Sequence, residues 1–220
     1  YATSPRAGAE YNESGCAVQR PRGYNFRMDR DMQLLFELGT LRFVPRSWAQ
    51  LHQPGFANVS EHVFRMAWIA MILAKREGAN LGTVLRMTLV HDVTESRTGD
   101  VHTLTRHYVQ RDDAKAAKHI FANTSLEADA HALLQEYHER TTIEAKVVKD
   151  ADMLDVDMEL RELEAKGGDY PSTWKEKRKS IAENDLLTES GKKLWRDIYA
   201  SDPYAWYADG IERNNFQGHR

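Results

Sequence analysis

Cysteine is almost missing from this chain: Cys16 stands alone among 220 residues, which excludes an intramolecular disulfide and fits a reducing compartment. No uninterrupted apolar stretch approaches the ~20 residues of a membrane-spanning helix, and the first residues hold no hydrophobic signal core. Neither sign of charge dominates, since 30 Lys and Arg against 33 Asp and Glu leave a formal charge of -3. That balance gives no electrostatic footprint for a nucleic-acid polymer. Together these absences predict a soluble cytoplasmic protein whose partners include neither a membrane nor a nucleic-acid polymer. What is present is ordinary for a globular domain, with 41% hydrophobic and 29% charged residues and enough length for one sizeable core.

Alternating strand patterns of useful length are also lacking, and there is no internal repeat. Residues 1–28 are rich in Gly, Pro and polar side chains and read as a flexible N-terminal arm. From Asp29 to about residue 210 nearly everything scans as helix, leaving 211–220 as a C-terminal tail. Met32, Leu35, Phe36 and Leu38 mark a first helix ended by Gly39, and Pro45 and Pro54 punctuate a connector. Asn58 and Glu61 form a capping-box pattern ahead of Val59, Val63, Met66, Ala70 and Leu73 at helical spacing. A further helix is expected from Leu81 to about Thr94, then a looped segment holding Thr98-Gly99-Asp100.

Short helices follow over 115–123 and around Leu126–Tyr137, and the longest carries Ile143, Val147, Ala151, Leu154 and Met158 up to Gly167-Gly168. Ser172 or Thr173 is expected to cap the next helix and Thr188 the one after, with Asp202-Pro203 opening the last. The run Lys175-Glu176-Lys177-Arg178-Lys179 reads as a solvated face. The predicted fold is all-α, a helical bundle.

Against this background the pair His91-Asp92 is out of place. It closes the apolar run Leu85, Met87, Leu89, Val90, and buried ionisable groups cost several kcal/mol unless something pairs them. Neutral imidazole and carboxylate are both good ligands for divalent Zn, Mn, Fe or Co. His62 in the first turn of one apolar helix and Asp152 within another complete a four-ligand set drawn from facing helices of a bundle. Ligands this far apart follow no strict sequence pattern, so the residues by themselves leave satisfied core polar groups as the rival reading.

The three blocks Val-Ser-Glu-His62, His91-Asp92-Val-Thr-Glu95-Ser-Arg-Thr-Gly-Asp100 and Glu-Ala-Lys-Val-Val-Lys-Asp-Ala-Asp152-Met-Leu-Asp resemble the HD-domain metal-dependent phosphohydrolases, and within them the 5′-deoxynucleotidase-like branch. All three occur in order over roughly half the chain. The resemblance implies an HD-domain bundle with a metal site between core helices, and a divalent ion (Mn, Co, Mg, Fe or Zn) on His62, His91, Asp92 and Asp152. It selects Asp152 over its neighbour Asp150. It also implies Glu95 as the water-activating acid, with Asp100 positioning that water or a sugar hydroxyl.

Phosphate needs cations, for which Arg42, Arg46 and Lys149 are candidates with Arg97 further behind, and Trp48 is placed to stack on a base. The expected partner is a small phosphorylated substrate, a (deoxy)nucleoside 5′-monophosphate. Another nucleotide or phosphate ester, an iron oxygenase on the same fold, or a nucleotide-sensing module are the rivals. Tyr204, Trp206 and Tyr207 leave a homodimer interface and intramolecular packing both open.

Overall fold

In the computed structural model, residues 29–50 and 57–213 are described; the expected arm 1–28 and residues 214–220 lie outside them. Among the described residues every regular element is helical: α1 Arg30–Leu38, α2 Val59–Glu77, α3 Leu81–Val90, α4 Glu95–Thr98, α5 Asp113–Phe121, α6 Glu127–Glu139, α7 Ile143–Ala165, α8 Ser172–Asn184, α9 Glu189–Ala200 and α10 Ala205–Arg213. Short 3₁₀ turns at Gly39–Phe43, Ser47–Gln50 and Thr105–His107 carry the chain between them. The all-α expectation holds.

The helix starts follow local chemistry. The Asn58 side chain accepts from the Glu61 amide while the Glu61 carboxylate accepts from the Asn58 amide, completing the box that opens α2. Asn80, Asp112, Thr142 and Thr188 cap α3, α5, α7 and α9 in the simpler way. Helix α8 departs from expectation: Pro171 occupies the cap position, so Ser172 and Thr173 fall inside the helix and no side chain caps it.

Helix α7 is the spine, and α2 packs along it. Ala70 and Ala74 on α2 and Ala145 and Ala151 on α7 are essentially inaccessible, and such small side chains let two backbones approach closely. Met66, Ile69 and Leu73 fill the seam against Val147, Val148 and Leu154, with Val84 and Met87 of α3 and Leu133 of α6 closing one side. A second cluster, Leu34, Val93, Ala117, Ile120, Phe121 and Leu134, ties α1 and α5 onto the turn after α3. The paired interiors of α2, α3 and α7 therefore hold His62, His91 and Asp152 in register.

The surface run Lys175–Lys179 is only partly what its charge suggests. Arg178 is buried, donating from Nε to Asp157 Oδ1 at 2.9 Å and from Nη2 to the Met153 carbonyl at 2.7 Å. An inward arginine in a charged run leaves no mark in hydropathy, because its partner Asp157 lies on another helix.

Candidate metal centre

Helix α3 was expected to reach Thr94, and it stops at Val90 instead. The next bonds are of the tighter kind, Val93 N to Val90 O at 3.2 Å and Glu95 N to Asp92 O at 3.0 Å. In a regular α-helix adjacent side chains diverge by about 100°. Tightening the turn lets His91 and Asp92 both reach inward, and it restarts the chain as α4 with Glu95 buried at its first position. Gly99 then takes φ +69°, a left-handed conformation that favours glycine, and turns Asp100 back toward the cluster.

His62, His91 and Asp92 each bring one ligand atom within 4.8 Å of the others. His91 Nε2 lies 3.0 Å from Asp92 Oδ2, and His62 Nε2 lies 3.7 Å from the same oxygen and 3.4 Å from Asp152 Oδ1. The outer ring nitrogens are already committed: His62 Nδ1 meets Asp155 Oδ2 at 2.6 Å, and His91 Nδ1 meets the Thr88 carbonyl at 2.8 Å. The inner nitrogens, His62 Nε2 and His91 Nε2, are buried without a hydrogen-bond partner. Orphaned polar atoms in an interior are rare and costly. Two imidazoles whose Nδ1 atoms are hydrogen-bonded and whose Nε2 atoms converge on two carboxylates are the donor set of a divalent cation, so these residues fit the ion that the chemistry implies.

The electrostatics agree. Burial opposes charge on His62, yet the carboxylates of Asp152 and Asp155 outweigh it and lift its pKa to about 9. Asp92 and Asp152 are held below the ordinary carboxylate range despite burial, Asp92 chiefly by His91 and Asp152 chiefly by Lys149. The pocket thus attracts positive charge from whatever source. Glu95 behaves oppositely: burial first, then the charges of Asp92 and Asp100, push it up to about 8. Its Oε1 faces Arg111 Nη1 at 3.3 Å, while Oε2 is buried and unpartnered.

The structure gathers most of the expected substrate residues around this cluster. Arg46 is buried, 3.5 Å from Asp92 and 3.2 Å from Asp100, and Asp100 also accepts the Ser47 amide at 2.9 Å. Lys149 Nζ reaches Asp152 Oδ2 at 2.7 Å. Trp48 sits edge-on to Trp174 with ring centroids 4.9 Å apart. Arg42 is not brought in: it is exposed, its guanidinium lying 4.7 Å over the Phe43 ring. Arg97 pairs with Glu37.

Asp150 points away from the cluster, and the Leu187 and Thr188 amides and the Thr188 hydroxyl bond to it. Asp155, Tyr137 (whose hydroxyl donates to Asp152 at 3.3 Å) and Arg111 escaped sequence reasoning. Only Asp155 left a trace there, as the last residue of the third block.

Two openings meet at the cluster and share Asp92, Glu95, Arg106 and Asp152. One is a cavity of about 690 Å³ reaching to Arg111, Tyr137, Arg140 and Lys149. The other, about 200 Å³, holds Arg46, Trp48, Asp100 and His102. It continues into a groove of about 260 Å³ between Trp48, Leu104, Trp174 and Ile181.

Known proteins are similar to this chain in sequence and in fold. The 5′-deoxynucleotidase HDDC2 of Xenopus laevis is 30% identical over 148 residues, covering 62% of this chain and 72% of that protein. The 5′-deoxynucleotidase YGK1 of Saccharomyces cerevisiae is 25% identical over 68% of this chain and 72% of its own. Among solved structures, a conserved hypothetical protein from Pyrococcus furiosus superposes with a TM-score of 0.64 at 24% identity, over 77% of this chain and 99% of that one. A predicted metal-dependent phosphohydrolase from Magnetospirillum magnetotacticum gives 0.62 at 24% identity, over 78% and 90%. At that identity the likeness speaks for the fold. With the HD-domain family model matching residues 38–195, a span that takes in His62, His91-Asp92 and Asp152, the chain belongs to the HD-domain family.

Proposed function

We propose that this chain is a metal-dependent 5′-nucleotidase that removes phosphate from a nucleoside 5′-monophosphate, with 2′-deoxy forms preferred. One observation carries the reading: two buried, unpartnered imidazole nitrogens converge on Asp92 and Asp152, with an acid of raised pKa, Glu95, beside them. The sugar preference is taken from the relatives whose names specify it.

His62, His91, Asp92 and Asp152 would hold the ion, which when bound acidifies water and offsets charge on a phosphoryl oxygen. The protein's own residues do the rest. Hydrolysis forms one P–O bond from water and breaks the bond to the 5′ oxygen, so a proton must leave the water and another must reach the leaving alkoxide. Glu95, poised to exchange a proton near neutral pH, can take the first and return it to the second. Arg46, fixed by Asp92 and Asp100, faces the charge that develops on the phosphoryl oxygens. Asp100 accepts from a sugar hydroxyl, and the Trp48–Trp174 groove takes the base, since an apolar slot with two indoles suits a flat ring.

Steady-state rates on deoxy- and ribonucleoside 5′-monophosphates, with Mn, Co, Mg and Fe added in turn, test the reading. Deoxynucleotides turning over fastest is the expected result. Inert nucleotides beside rapid turnover of unrelated sugar phosphates would overturn it.

A further inference from the structure

Helix α2 is apolar on both sides. Its inner face commits Met66, Ile69 and Leu73 to the core seam. Its outer face should carry polar side chains, as the solvent side of a surface helix does. Instead Phe64, Trp68 and Ile72 follow one another there one turn apart, and they are 69%, 55% and 46% exposed. Side chains of that size leave on the order of 300 Å² of apolar surface in water along one ridge. A patch of that extent marks a place where a protein meets a partner.

The charges at the ends of the ridge indicate which partner. Glu61 lies seven residues before Trp68 and Lys75 seven after it, while Phe64 lies four before and Ile72 four after. At about 100° per residue all five fall within one arc of about 80°. The row runs acid, apolar, Trp68, apolar, base. Turned end over end, it exchanges Glu61 for Lys75 and Phe64 for Ile72. Glu61 and Lys75 are both exposed, and at ~1.5 Å per residue they stand about 21 Å apart on their own helix, too far to pair with each other.

We propose that α2 docks on α2 of a second copy of this chain, antiparallel, across a two-fold axis through Trp68. Phe64 of each copy then packs on the other copy's Ile72, the two Trp68 rings meet in offset contact, and a Glu61–Lys75 ion pair closes each end. The same patch thus serves both copies, as a closed two-fold dimer requires, with an aromatic centre and a charged rim. A parallel pairing would set Glu61 on Glu61 and Lys75 on Lys75, so the charges select the antiparallel one. The ridge is smaller than the roughly 800 Å² that each partner gives to a standard interface, so a dimer that dissociates on dilution is the expected form. No residue of α2 lines either opening at the cluster. Pairing leaves both open, and it does not depend on what the cluster hydrolyses.

The test is sedimentation velocity of the full chain over a dilution series, each variant first shown folded by circular dichroism. The parent is expected to sediment as a dimer. Trp68→Glu puts two carboxylates on the axis and is expected to weaken the dimer by about a hundredfold or more, as loss of a central aromatic anchor does. Lys75→Glu sets acid against acid at both ends and should weaken it by about tenfold. Glu61→Lys/Lys75→Glu restores opposite charges with the ends exchanged, and most of that loss should be recovered. Trp206→Ser/Tyr207→Ser removes exposed aromatics of α10 and should leave the dimer at the parent's strength. A monomeric parent, whose ridge would then serve a different protein, overturns the proposal. So does a dimer that survives Trp68→Glu, one that Trp206→Ser/Tyr207→Ser abolishes, or a charge exchange that recovers nothing.

Discussion

Helix α7 carries four aspartates within eight residues, and its two faces treat them differently. Toward α8 and α9 lie Asp150 and Asp157, one heptad apart. Asp150 receives the Leu187 and Thr188 amides at 2.8 Å each, and Asp157 receives Arg178 and the Tyr199 hydroxyl. Toward α2 and α3 lie Asp152 and Asp155, one turn apart, facing His62. Both faces supply their carboxylates with donors from within the chain, Lys149 and Tyr137 for Asp152 and His62 and Arg65 for Asp155 on the second. Only the second leaves two imidazole nitrogens bare beside them. A buried polar cluster that the fold completes is architecture, while one that it leaves incomplete by one cation is a site.

The largest effect should come from exchanging the two faces by mutation. Asp152→Ala is expected to take bound metal from about one ion per chain to almost none, and turnover down on the order of 10³-fold, because a divalent ion contributes several kcal/mol to the transition state. Asp150→Ala is expected to keep the metal and lose stability instead, on the order of 3 kcal/mol, since the buried Thr188 amide and hydroxyl and the half-buried Leu187 amide lose their acceptor. Elemental analysis and urea unfolding of both variants decide the matter. Metal kept in the first and lost in the second would invert the assignment. Gly191→Ala probes the structural face independently, because a Cβ there would stand 2.3 Å from Asp150 Oδ2.

Next in size is Glu95. Glu95→Gln preserves shape and removes the exchangeable proton, so metal content should stay near the parent's while turnover falls about 10²–10⁴-fold. Normal turnover in a metal-replete variant would return Glu95 to the role of a buried helix-end acid, and loss of metal would make it a ligand.

Smaller again is Asp155, which completes His62 from behind. Asp155→Asn should weaken metal affinity by about 10–100-fold, the usual consequence of disturbing the partner of a ligating imidazole. The measurement is a competition titration against a chelating dye. Unchanged affinity would show that Arg65, which Asp155 also pairs with, is its real business.

How much of this was legible in the sequence differs between the same two faces. The helical spine and some of its caps could be read locally, since Asn58 with Glu61 and Thr188 each act within one turn. His91-Asp92 stood out because an apolar run ended on two ionisable groups. Hydropathy could not separate Asp150 from Asp152, both in a helical acidic stretch. The donors that satisfy the former come from residues 187 and 188, and contact across 37 residues has no local signature. Arg46 and Arg42 look alike in sequence, yet a 3₁₀ turn sends one inward to Asp92 and Asp100 and leaves the other over Phe43. Arg111 and Tyr137 reach the cluster from the connector before α5 and from α6, for which spacing offers no clue.

The finest distinction between the faces is a pH effect away from the cluster. Glu159 lies one turn beyond Asp155 and is nearly buried, accepting the Ala57 amide at 3.2 Å. Burial first, then the charge of Asp155, raises its pKa from 4.5 to about 6. An acid with a raised folded-state pKa binds its proton more tightly when folded. Its contribution to stability is therefore fully present below pH 4.5 and is lost as pH climbs through 6. The shift corresponds to about 2 kcal/mol at neutral pH. Glu159→Gln keeps an acceptor for Ala57 and cannot ionise, so it should unfold at higher urea than the parent at pH 7.5, with the gap narrowing to roughly half at pH 5. A gap of the same size at both pH values would trace the gain to packing and not to the buried charge.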